Sequence, residues 1–217
     1  MKKKYLSIAL FLFLSVYCFS IEFPGMDVHW VLIWIGNAEE EGAPSPLLPT
    51  LGVSLPVYFA PFFFLDPGMD FYGTSYQLSE TGSGKVVPTE IEYANYIWYL
   101  IMRLDIPAGF RFNFSDNLAA GVTAGPSFLF RIPLIAWGDC AQSGSTCREE
   151  MGSYFYGSGR FFYPEAGLFF IWKMFDKAAL LIEAKTFFPL FHAWDGEEVP
   201  FYDQFMVAGS VGLRFFF

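Results

Sequence analysis

Residues 100–114 read LIMRLDIPAGFRFNF. Taken every second residue, Leu100, Met102, Leu104, Ile106, Ala108, Phe110, Phe112 and Phe114 form a wholly apolar column. Arg103, Asp105, Gly109, Arg111 and Asn113 fall in the other column, with Ile101 and Pro107 among them. A period of two belongs to a strand, whose successive side chains point to opposite faces of the pleat. The run far exceeds the roughly five or six residues of an ordinary strand. The tripeptide SDN (115–117) then supplies a tight turn. Beyond it the alternation resumes, with Leu118, Ala120, Val122, Ala124, Phe128, Phe130 and Ile132 opposite Gly121, Thr123, Gly125, Ser127 and Arg131.

The same pattern recurs along the chain. Leu168, Phe170, Trp172 and Met174 alternate with Glu165, Gly167 and Lys173. Leu180, Ile182 and Ala184 alternate with Glu183 and Lys185, and Val211, Leu213, Phe215 and Phe217 with Gly212 and Arg214. Two segments, 26–35 and 69–77, alternate more weakly. The reading predicts eight strands, at about 26–36, 49–63, 69–78, 95–114, 118–134, 160–175, 178–193 and 203–217. The apolar columns carry charge only at Arg160 and Asp203, each expected at an outer strand tip where water is near.

Composition says where such strands belong. The chain is 54% hydrophobic, 21% aromatic and 16% charged, against about 25% charged for a soluble protein. Beyond the first twenty residues no window offers the roughly 18 uninterrupted apolar residues of a spanning helix. An apolar chain that cannot cross lipid as helices can satisfy its backbone there only as a closed barrel. The expected fold is therefore all-β, an eight-stranded antiparallel transmembrane up-and-down β-barrel. Connections alternate in length. The long ones are 37–48, 79–94, 135–159 and 194–202; the short ones are LDPG (65–68), SDN and FDK (175–177). Long outer loops and short inner turns are the outer-membrane layout.

The chain opens MKKKYLSIALFLFLSVYCFS. Three lysines followed by a short apolar run is the layout of a secretory signal peptide. Residues 1–20 are expected to be removed, leaving 21–217 as one barrel domain in the bacterial outer membrane. A retained anchor and lipid modification at Cys18 are the alternatives, but the run is short for a span and Tyr17 is bulky where the lipoprotein signal wants a small residue. Cys140 and Cys147, in CAQSGSTC, are then the only cysteines. In an oxidising compartment they are expected to form a disulfide in the third outer loop.

The last residues, SVGLRFFF, place Ser210, Gly212, Phe215 and Phe217 at fixed spacing up to the end of the chain. This pattern resembles the C-terminal assembly signal of outer-membrane barrels. The whole mature chain resembles the small eight-stranded group that includes the OmpA-, OmpX- and OmpW-type proteins, with the OmpW type favoured. The resemblance implies passive passage of small, mostly hydrophobic solutes, with outer-membrane lipid and the barrel-assembly machinery as partners. The alternative is a surface-exposed structural or adhesin-type barrel whose long loops bind partners.

Nine charged residues are expected to line the lumen: Arg103, Asp105, Arg111, Arg131, Glu165, Lys173, Glu183, Lys185 and Arg214. Eight strands enclose an interior just wide enough for side chains to fill, so these charges must pair. Apolar Phe161, Phe169, Ile171, Leu181 and Phe187 fall on the same side. The two histidines, His29 and His192, make no recognisable catalytic or zinc-ligand pattern, and no phosphate-binding glycine motif stands out. No catalytic residue, metal or cofactor is expected. After Ser20 the chain has ten basic and twenty-two acidic residues, which speaks against nucleic-acid binding. If the terminal aromatics direct assembly, changing Phe215 and Phe217 to polar residues will lower the yield of folded barrel in cells. The measurement is the heat-modifiable band on gels; an unchanged yield would make these aromatics incidental.

Overall fold

The computed structural model describes residues 21–36, 47–78, 86–88, 96–142, 146–157, 159–194 and 203–217. The expected signal peptide and the acidic stretches 37–44 and 195–198 lie outside the described residues. One curled antiparallel sheet contains thirteen strands. They are β1 (Gly25–Ile35), β2 (Leu47–Ser54), β3 (Val57–Ala60), β4 (Phe63–Leu65), β5 (Gly68–Leu78), β6 (Val86–Pro88) and β7 (Tyr96–Asp105). The rest are β8 (Ala108–Asn113), β9 (Leu118–Gly125), β10 (Ser127–Trp137), β11 (Glu165–Phe175), β12 (Ala178–Phe187) and β13 (Met206–Phe216). The hydrogen-bonded order is β10-β7-β5-β2-β1-β13-β12-β11-β9-β8-β4-β3, with β6 beside β5.

Proline divides what the alternation reads as continuous strands. Breaks fall at Leu55–Pro56, Asp66–Pro67, Ile106–Pro107 and Pro126, because proline brings no N–H to the ladder. The breaks line up. Leu55 donates to the Pro67 carbonyl, Asp66 to Pro107 and Ile106 to Pro126, each at 2.9 Å. Pairing keeps one register across each break: Phe63↔Phe110 continues as Gly68↔Asp105, and Ala108↔Ala124 as Asp105↔Ser127. The turn expected at LDPG is therefore a break within the wall. The reversal lies at Pro61–Phe62, between β3 and β4.

Beyond the ladder, Glu22 bridges Tyr58 of β3, and Phe128 of β10 bridges Phe162. Ser127 and Leu129 hydrogen-bond Tyr163 and Phe161.

Exposure follows the pleat and is inverted relative to a water-soluble protein. In β1, Asp27 and His29 are 0% and 5% exposed, while Trp30 and Leu32 are 67% and 52%. Leu51, Phe110, Leu168, Trp172, Val211 and Phe215 likewise face outward. Charge goes in and apolar surface goes out, as a lipid solvent demands.

One mouth is filled by residues that the alternation does not describe. After β10 the chain forms α1 (Asp139–Gln142), α2 (Thr146–Gly152) and a π-helical turn (Ser153–Gly157). Cys140 and Cys147 are disulfide-bonded, with Cα atoms 5.5 Å apart, and both are buried. A strand was expected to run to 193. It stops at Phe187, and a 3-10 turn (Leu190–Ala193) follows Pro189. Arg160 and Asp203, expected at wet strand tips, are buried at 2% and 4% exposure. The chain turns at Gly159–Phe161, before β11, and carries Arg160 onto the ring of Tyr154 at 3.9 Å.

Gly52 marks the tightest crossing inside the wall. A Cβ there would collide with the side chains of His29 and Asp70, which meet over it, whereas outward Gly209 has open space. Gly52→Val should destabilise the folded protein by about 1–3 kcal/mol through overpacking. Gly209→Ala should stay within about 0.5 kcal/mol of wild type. Urea unfolding in lipid vesicles measures both.

Candidate functional site

The interior of the curled sheet is stacked in layers. Toward the turn joining β8 and β9, Arg214 of β13 grips Asp27 of β1 with two hydrogen bonds, at 2.7 and 2.6 Å. Ser54 donates to the same carboxylate at 3.3 Å. Tyr58 accepts from Arg214 at 3.3 Å and from Arg111 at 3.2 Å. Beside this group sits an apolar cluster that includes Phe64, Phe169, Ile171 and Leu181. Tyr58 and Phe64 stack at 5.0 Å, and Phe64 meets Phe169 edge-on at 5.5 Å.

A second charged layer crosses the middle. His29 Nε2 donates to Asp70 at 3.0 Å. Arg103 holds Asp70 and Asp105 together, its bond to Asp105 at 3.2 Å. Ser127 donates to Asp105 at 2.6 Å, and Ser210 to Glu183 at 3.1 Å. Lys185 lies 4.0 Å from both Asp105 and Glu165. The Phe187 ring covers the Arg103 guanidinium at 4.2 Å. A cavity of about 10 Å³ lies between His29, Arg103, Glu183, Lys185 and Ser210, room for one water.

The outer layer is aromatic. Phe155, in the π-turn, is 1% exposed and lies between Tyr76 (4.8 Å) and Tyr99 (6.2 Å). Its ring lies 3.9 Å from the Arg131 guanidinium. Met151 of α2 is fully buried and accepts a hydrogen bond from the Tyr99 hydroxyl at 3.2 Å. Gln204 fastens this segment from the far side. Its Nε2 donates to Tyr154 at 3.2 Å, and its Oε1 accepts from Tyr163 at 3.1 Å. Gln204 does so with φ at 57°, a left-handed conformation that non-glycine residues adopt at a cost.

Of the nine charges read from the alternation, Arg103, Asp105, Arg131, Glu165, Glu183 and Arg214 are buried, and the Lys185 side chain is 12% exposed. Two lie apart from this group. Arg111 is half-buried against Tyr58 and Asn113. The Lys173 side chain is 38% exposed, 3.8 Å from Asp176. Asp27 and Asp70 join this network and Asp66 is buried beside it; all three escape the sequence reading, Asp27 and Asp70 because each is the one acid of a weakly alternating strand. His192 lies on the 3-10 turn and donates to the Asp203 carbonyl at 2.8 Å. Among the described residues, no group of three or more His, Cys, Asp or Glu is placed to hold a metal ion.

No protein-family model and no curated protein matches the chain. Solved structures do. Neisserial surface protein A is 8% identical, with 91% of this chain and 99% of that one covered, at a TM-score of 0.53. Ail, the attachment invasion locus protein of Yersinia pestis, is 7% identical over 89% and 97% at 0.43. The outer-membrane protein AlkL is 7% identical over 89% and 88% at 0.35. The first of these likenesses carries the fold: this is the architecture of the small outer-membrane β-barrels.

Asp27 and Arg214 are 187 residues apart in sequence and 0% and 2% exposed. Asp27→Ala will leave a buried guanidinium unpaired and should destabilise by about 3–5 kcal/mol. The double change Asp27→Leu with Arg214→Met should recover most of that loss. Urea unfolding of the refolded protein checks both, and a near-neutral Asp27→Ala would show that the pair contributes little.

Proposed function

We propose that the chain is an eight-stranded transmembrane β-barrel of the bacterial outer membrane. In this reading it is closed on itself and sealed inside, and it serves as a structural or adhesin-type platform for its outer loops. The eight-strand reading follows from treating each proline break as an interruption within one strand. The unbroken registers and the side-chain phase support it, since Arg103, Asp105, Pro107 and Gly109 are buried in succession across one break. Closure is supported by the bridges Glu22–Tyr58 and Phe128–Phe162. Outer-membrane lipid is the natural partner of the exposed apolar columns. The assembly machinery is the proposed reader of Ser210, Gly212, Phe215 and Phe217. Phe215 and Phe217 are 42% and 85% exposed, whereas Ser210 and Gly212 also serve the interior, against Glu183 and His29.

The observation that carries the sealed reading is Phe155 stacked on Arg131 inside the mouth, with α2 held over it. Passive passage of small hydrophobic solutes, as in the OmpW type, would require this segment to leave. The layered interior also supports a non-enzymatic role: Ser54, Ser127 and Ser210 and the acids Asp27, Asp70, Asp105 and Glu183 are engaged in structural pairs. The test is uptake of a small apolar solute by liposomes carrying the folded wild-type protein. Uptake equal to that of protein-free vesicles is expected. Uptake well above that background would overturn the sealed reading in favour of a channel.

A further inference from the structure

The interior arginines are not treated alike. Arg214 has Asp27, and Arg103 has Asp70 and Asp105. Arg131 is 5% exposed, yet among the described residues no carboxylate pairs with it. Its Nε donates to the Tyr76 hydroxyl at 3.2 Å, Nη1 to the Arg160 carbonyl at 2.7 Å and Nη2 to the Tyr163 hydroxyl at 3.5 Å. The Phe155 ring covers its remaining face at 3.9 Å. A buried cation without an anion is costly, and an aromatic face compensates only partly. A second polar group is also unanswered. The Tyr72 hydroxyl, in a residue 4% exposed, has no hydrogen-bond partner and lies within electrostatic reach of Arg131.

Of the groups around the Arg131 guanidinium, the Phe155 ring comes from the segment that follows β10. Phe155 and Met151 enter from the loop after β10, and the walls that they touch are apolar or aromatic: Tyr76, Tyr99, Ile97 and Leu129 among them. We propose that this outer half of the interior is a binding site for an amphipathic monoanion, in which Phe155 stands in for the ligand's apolar part. The ligand's single carboxylate or sulfate meets Arg131 and the tyrosine hydroxyls, and its apolar part takes the place of the Phe155 ring. The site is self-occupied in this structure, and binding displaces the 146–157 segment from Arg131. The inference rests on the sealed reading, because it needs Phe155 to be the resident occupant.

The experiment removes that occupant. Phe155→Ala, folded in lipid nanodiscs and checked for heat modifiability, is titrated with 3-phenylpropanoate and with neutral 3-phenylpropanol by calorimetry, against protein-free nanodiscs. Phe155→Ala should bind the anion at least about tenfold more tightly than the alcohol, the scale of one charge-assisted hydrogen bond. Adding Arg131→Gln should erase that preference, and wild type should bind the anion more weakly than Phe155→Ala. Equal binding of the two probes, no binding, or a preference that survives Arg131→Gln would overturn the proposal. If Phe155→Ala does not fold, Phe155→Val, which removes the ring from Arg131 while keeping part of its apolar volume, is read in the same way. Failure of the sealed reading appears separately, as solute uptake by wild-type liposomes.

Discussion

The two-residue period of the pleat is the constraint from which the rest of this structure follows. In an apolar surrounding, every charged residue of a strand must take the inward face, since an outward Lys or Arg at mid-depth costs about 2–4 kcal/mol. Asp27, Asp70, Arg103, Asp105, Glu183 and Arg214 obey this and are buried. The interior of a small barrel offers them little water, so they must satisfy one another. Segregation on one face thus creates the pairing problem that the charged layers solve. It also explains why glycine stands at position 52, where His29 and Asp70 must meet across a neighbouring strand.

Proline adds a second constraint that the fold absorbs. Pro56, Pro67, Pro107 and Pro126 each remove a donor, yet they fall in neighbouring strands at matching heights. The residue before each of the first three donates to the next proline's carbonyl. Aligned breaks keep one register above and below, where scattered breaks would have left orphaned carbonyls within the wall.

The wall was legible in the sequence because its signal is local. Leu100 to Phe114 reveals its two faces without reference to any other part of the chain, and the inward column supplied Arg103, Asp105, Arg131, Glu165, Glu183 and Arg214. What was illegible is relational. Asp27 is one acid in a weak strand until Arg214 is laid beside it by the β1–β13 ladder. Lys173 follows the same alternation as Glu165 but lies beside the turn to β12, where the wall ends, so phase alone could not tell a rim residue from an interior one. The Pro61–Phe62 reversal was masked by the stronger turn chemistry of LDPG, whose proline and glycine here serve a break in the wall. The plug was invisible for a different reason. Met151 and Phe155 lie in a segment with no strand period, and only the disulfide spacing hinted that it was ordered.

That plug must hold against the entropy of a long connection. Closing the short ring between Cys140 and Cys147 restricts the unfolded loop by about 2–3 kcal/mol in the chain-entropy view. Further contacts come from the wall: Tyr99 on Met151, Gln204 on Tyr154 and Arg160 on the Tyr154 ring. Against them stand the left-handed backbone of Gln204 and an arginine that has received a π face in place of an anion. In the layers below, Arg103 and Arg214 each hold a carboxylate. A buried arginine that no carboxylate pairs with among the described residues therefore sits under the helical segment that follows β10. That placement distinguishes the outer layer from a filler for the barrel and makes it the part of the interior best suited to respond to something outside.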